Sequence, residues 1–99
     1  MSNPHKDRQV CRQVYDALNW ALADVDDPLL EDLALVAVDP APDASRVIVT
    51  FVMTRADIDP DAVRAHLAEL LPELRAEVAA ELTRRRVPEL TFRVTPAST

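Results

Sequence analysis

The chain has 99 residues, 48% hydrophobic but only 4% aromatic and 28% charged, with a formal net charge of −6. That length suits one compact domain and is too short for two. The acidic balance excludes a protein that coats nucleic acid by bulk charge, since such binding neutralises many phosphates. A single cysteine, Cys11, excludes an internal disulfide and a cysteine-built metal cage. The absence of glycine excludes the P-loop, the GxGxxG turn and the GxxG clamp of ordinary KH domains, all of which need backbone without a Cβ.

Residues 1–6 are polar, contain Pro4 and read as a flexible N-terminus with no signal-peptide pattern. From about Asp7 to Val25 the apolar residues Val10, Cys11, Val14, Leu18, Ala21, Leu22 and Val25 fall on one side of a helix. Trp20 falls on the opposite side and is expected to fold over a neighbouring element or cover a helix edge. Arg8 and Arg12 stand one turn apart on the exposed side. Asp26-Asp27-Pro28 stops the helix, because the residue before proline is pushed out of the helical region.

Leu33 to Val38 reads as a strand apolar on both faces, and 39–44, with two prolines and two aspartates, as a turn. A second strand runs from Arg46 to Thr54, with Val47, Val49, Phe51 and Met53 on one face. The two strands form an antiparallel pair. Asp59-Pro60 is a helix start, an amide-capping carboxylate followed by a proline suited to the first helical position. Val63, Leu67, Leu70, Leu71, Leu74, Val78 and Leu82 then recur at helical spacing as far as Arg86. Pro72 lies inside this run and predicts two helices, about 60–71 and 72–86, meeting at a kink at Leu70, Leu71 and Pro72. Leu90, Phe92 and Val94 alternate with polar residues in a third strand, and 96–99 is expected to be disordered.

The order α-β-β-α-α-β predicts an α+β, two-layer domain over 7–95, with helices packed on one face of a three-stranded sheet. No run of about 18 apolar residues is present, so no membrane span is expected, and the lone cysteine suits a reducing cytoplasm. His5 and His66 are far apart, with no nucleophile or second metal ligand at working spacing. No catalytic residue, metal site or cofactor is therefore expected.

Charge is unevenly spread on the long helical run. Glu69, Glu73, Glu77 and Glu81 stand at successive i,i+4 positions, an acidic stripe that would repel RNA but suits a basic protein. Arg84, Arg85 and Arg86 close the run, where cations favour the negative end of the helix dipole and Glu81 is spaced to pair with Arg85.

The spacing Leu74-Arg75, Arg84, Pro88-Glu89-Leu90, Phe92 resembles the ribosome-binding factor A family, bacterial small-subunit maturation factors with a type II KH-like fold. Weaker matches are Arg8 and Arg12, Asp27-Pro28-Leu29, and Val38-Asp39-Pro40 followed by Val47-Ile48-Val49, so the likeness spans Arg8 to Val94. The chain departs from the family's Ala-x-Gly interhelical kink, where it carries Leu70-Leu71-Pro72, and has Thr95 in place of an aspartate after the last strand. The resemblance implies a cytoplasmic monomer that binds the immature small ribosomal subunit and its 16S rRNA, assisting maturation and rRNA processing. It also implies rRNA contact by Arg75, Arg84, Arg85, Arg86 and Arg93, if the last strand lies beside the helix end, with Arg8 and Arg12 adding to it. Glu69, Glu73, Glu77 and Glu81 are then candidates for a basic ribosomal protein. The competing expectation is a diverged KH-like protein-interaction module without RNA binding, with the glutamate stripe or Trp20 as its contact.

Overall fold

A computed structural model of the chain describes residues 4–24, 27–28, 30–41, 45–82 and 87–97, with side chains from residue 7 onward. Helix α1 spans Pro4–Asp24, strand β1 Leu33–Pro40, strand β2 Arg46–Met53, helix α2 Pro60–Glu81 and strand β3 Glu89–Thr95, with a 3-10 turn at Leu30–Asp32 before β1. The element order is the expected one, with the two predicted helical segments joined into one. α1 starts at Pro4, inside the segment expected to be flexible, because proline suits a first helical turn.

The sheet order is β1-β2-β3. β1 and β2 are antiparallel, whereas β2 and β3 run parallel with α2 as the crossover that a parallel pair requires. β1 extends past the expected turn, since Asp39 and Pro40 still pair with Ile48 and Val47. A proline is tolerated there because β1 is an edge strand with one side outside the ladder. Ala41 N donates to Arg46 O at 2.7 Å to close the hairpin, while 42–44 lie outside the described residues.

Both helices cover one face of the sheet. Val10, Val14, Ala17, Leu18 and Ala21 of α1 and Val63, Leu67, Leu74 and Val78 of α2 pack on Val47, Val49, Phe51 and Met53 of β2 and on Leu90 and Val94 of β3. Phe51 has no exposed surface and meets Phe92 edge-on, ring centroids 5.7 Å apart at 73°. Tyr15 Oη donates to Leu35 O at 3.2 Å and ties α1 to β1 just before the bulge between Leu35 and Ala37. The bulge turns Val36 outward, where it is 51% exposed, so β1 is not covered on both faces as its composition suggested.

Three other expectations are corrected. Pro72 does not divide the second helix: α2 runs through it to Glu81. Pro72 and Ala68 are exposed, so water can serve the carbonyl that the missing N–H leaves open, while the apolar stripe on either side packs on one sheet. Trp20 covers nothing and is 71% exposed, because it lies opposite the only face of α1 that packs. At the C-terminus, Ala97 is half-buried against the core, beside a pocket formed with Met53, Ile58 and Pro60, although 96–99 was expected to be disordered; 98–99 lie outside the described residues.

Candidate nucleic-acid interface

α2 is bounded by readable local chemistry. Asp59 holds an extended conformation (φ −70°, ψ 119°), and its Oδ1 accepts from Asp61 N at 3.0 Å, with Pro60 beginning the helix. At the other end Leu82 turns extended and carries its side chain into the core, its N–H still reaching Val78 O at 3.0 Å. The helix therefore ends before the arginine triplet, not at Arg86 as its periodicity suggested. Arg84, Arg85 and Arg86, and with them the dipole expectation, lie outside the described residues.

The remaining predicted arginines fall on different parts of the surface. Arg8 and Arg12 are exposed on α1. Arg75 is exposed on α2, beside a shallow groove of about 420 Å³ lined by Leu71, Pro72, Ala76, Ala79 and Val87. Arg93 pairs in register with Thr50 on the sheet face that the helices leave bare, since Leu90, Phe92 and Val94 take the covered one. It also lies near the start of α2, where Arg64 Nη2 donates to Val94 O at 3.0 Å. α2 runs antiparallel to β3, so Arg93 stands toward the start of the helix and across the sheet from Arg75, and the condition for grouping the two, a last strand beside the helix end, is not met at Arg93.

Ion pairing sorts the cations further. Arg46 pairs with Glu89, Arg55 with Asp57 and Asp32, and Arg64 with Asp61. Arg12 Nε lies 3.4 Å from Asp16 Oδ1, with both side chains mostly in water. Arg8, Arg75 and Arg93 make no ion pair among the described residues. Their forks have donors to offer an anion without first breaking an internal contact. Glu69, Glu73, Glu77 and Glu81 are all exposed along α2, and of these Glu69 approaches His66 Nδ1 at 3.7 Å. Among the described residues no group of three His, Cys, Asp or Glu side chains is placed to hold a metal, and no helix is long and apolar enough to cross a membrane.

No protein-family model matches the chain, and no curated protein matches it. Solved structures do. The crystal structure of ribosome-binding factor A from Thermus thermophilus superposes with a TM-score of 0.75 at 25% identity, over 89% of this chain and 94% of that one. This likeness takes in nearly the whole chain, as the motif residues do. The chain has the fold of ribosome-binding factor A structures. A Thermotoga maritima protein ascribed to ribosome binding factor A, solved by NMR, shares the fold with a TM-score of 0.77 at 17% identity, over 94% of this chain and 90% of that one. A homology model of the Thermus thermophilus factor, fitted into the cryo-EM map of its 30S complex, matches with a TM-score of 0.66 at 26% identity over 94% of each chain.

The residues that carry the ribosome-binding factor A resemblance are mostly structural. Leu74, Pro88 and Leu90 are buried, and Phe92 packs on Phe51. Of the described motif residues, Arg75 and Glu89 are exposed, and Glu89 pairs with Arg46. At the family's kink, Leu70 and Leu71 are half-buried and Pro72 is exposed, all within one helix. Sequence reading missed that Thr50 and Ile48 of β2 lie beside Arg93 and Thr91 on the bare face. Strand alternation indicated the side of β3 that Arg93 occupies, but only the strand order shows its neighbours.

Proposed function

We propose that this protein is a ribosome biogenesis factor that binds the immature small subunit through its 16S rRNA and assists subunit maturation and rRNA processing. The observation that carries the reading is the likeness, over 94% of both chains, to the Thermus thermophilus factor fitted into a 30S complex. In this reading the protein works in the cytoplasm as a monomer and without a cofactor. Arg8, Arg75 and Arg93 supply charge-assisted hydrogen bonds to phosphate oxygens. Arg12 joins them by giving up a solvent-exposed pair with Asp16, a kind worth only about 0.2–1 kcal/mol. Arg84, Arg85 and Arg86 extend the contact by their place after α2.

These cations start from α1, α2 and the bare sheet face, so they act as separate points on a folded rRNA surface. That arrangement suits a chain of net charge −6, which offers nucleic acid no bulk attraction. Binding of this kind favours the rRNA conformation that presents phosphates at all the points together. The exposed Glu69, Glu73, Glu77 and Glu81 stripe is open to a basic ribosomal protein at the same site.

Co-sedimentation with purified immature small subunits at several salt concentrations tests the reading. Replacing Arg8, Arg75 and Arg93 by alanine should weaken binding, and each lost phosphate contact should lower the slope of log K against log salt by about 0.7–0.9. Binding with an unchanged slope would remove these residues from the interface. If the wild-type chain shows no salt-sensitive affinity for subunits yet retains a protein partner, the protein-interaction reading replaces this one. Deletion in the source cell should leave unprocessed small-subunit rRNA.

A further inference from the structure

The C-terminal half of α1 presents a large apolar ring to water. Trp20 is 71% exposed, and Asp16 and Asp24 lie one turn before and one turn after it on the same side. At i,i+4 spacing their Cβ atoms stand only about 5–6 Å from that of Trp20. α1 has no basic residue in its last turn, so the partial negative charge of the helix end adds to that of Asp24. The remaining neighbours on this side, Asn19 and Ala23, are exposed and small or polar. Arg12 reaches Asp16, but through a pair in which both side chains are more than half in water and which a stronger partner can displace.

An indole face between two carboxylates suits a cation. The ring quadrupole attracts a guanidinium or ammonium group over the face, and the carboxylates accept its hydrogen bonds. A nucleic-acid base would also stack on indole, but its phosphates would meet Asp16, Asp24 and the negative helix end. A purely apolar partner would find no second large exposed hydrophobic side chain beside the ring among the described residues. We propose that Trp20, with Asp16 and Asp24, is the docking point for an arginine- or lysine-bearing segment of a protein partner. The cation stacks on the indole and its donors are shared between the two carboxylates. This site shares no residue with the proposed rRNA contacts, although Arg12 of that set pairs with its Asp16.

Trp20 is the only tryptophan in the chain, so its fluorescence reports this site alone. The full chain is titrated with a ten-residue alternating arginine–serine peptide and, separately, with a ten-nucleotide oligouridine. The peptide should shift Trp20 emission saturably, less so as salt is added, and the oligouridine should leave it unchanged. With a labelled peptide followed by anisotropy, Trp20→Leu, which keeps an apolar side chain and loses the π face, should weaken binding about two- to fivefold. Asp16→Asn with Asp24→Asn should weaken it about three- to tenfold. The proposal is overturned if the peptide fails to bind, if it binds both variants as tightly as the wild type, or if only Glu73→Gln with Glu77→Gln abolishes binding. It is equally overturned if oligouridine shifts the emission and the peptide does not, which would assign the ring to base stacking.

Discussion

His66 in the middle of α2 shares a short side-chain hydrogen bond, Nε2 to Oδ2, with Asp27 in the segment that follows α1. It clasps the two helices at a point where both side chains are partly buried. The hydrogen bond to Asp27, with the charges of Asp27 and Glu69, raises the His66 pKa above its ordinary value of 6.5, against an opposing desolvation. The folded state therefore binds the His66 proton more tightly than the unfolded chain does. The clasp contributes fully below pH 6.5 and is lost as pH rises through the raised folded value. His66→Gln should cost about 0.5 kcal/mol at pH 6, or about 2–4 °C in Tm, and almost nothing at pH 9. Thermal melts of both proteins across this range check the expectation; parallel pH profiles would show that the clasp does not titrate with folding.

Pro72 sits inside a continuous α2 at an exposed position. Its cost in a helix interior, about 3 kcal/mol, is partly offset because proline also restricts the unfolded chain by about 0.4–1 kcal/mol. Pro72→Ala should therefore stabilise the fold by about 2–3 kcal/mol, read as a higher urea midpoint at unchanged m-value. A lower midpoint would mean that the proline's geometry is needed for packing.

Asp59 is the N-cap that precedes Pro60. Asp59→Ala leaves the Asp61 N–H without its 3.0 Å acceptor and should cost about 1 kcal/mol. Asp59→Asn, which still offers a side-chain oxygen, should recover most of that loss in the same urea titration. Equal losses in the two variants would point to carboxylate charge at the helix N-terminus in place of capping geometry.

Phe51 is fully buried on the central strand and packs edge-on against Phe92. Phe51→Ala should lose about 3–5 kcal/mol, enough to unfold much of a domain of ordinary stability. Phe92→Leu, on an edge strand and half-buried, should lose about 0.5–1.5 kcal/mol with the aromatic contact. Near-equal effects would show that the core does not centre on β2.

Much of the candidate site followed from local pattern. The periodicity of α1 put Arg8 and Arg12 on its exposed side, and the alternation of β3 put Arg93 opposite Leu90, Phe92 and Val94; both hold. The grouping of these arginines did not follow, because a residue's side on its own element says nothing of which element lies alongside. The strand order and the direction of α2 separated Arg93 from Arg75. Likewise, Arg64 meets Asp61 at i,i+3 spacing within α2, whereas its hydrogen bond to Val94 O, 30 residues away, exists only because α2 packs beside β3.

By itself the sequence determined the element types and the core face of each element, because 3.6- and 2-residue apolar periods and caps such as Asp59-Pro60 act within a few residues. The tertiary structure decided that β2 is central and parallel to β3, that Pro72 does not divide α2, and that Trp20 is left in water. Each of these depends on burial shared between distant segments, which can outweigh a local preference of a few kcal/mol and which no single segment records.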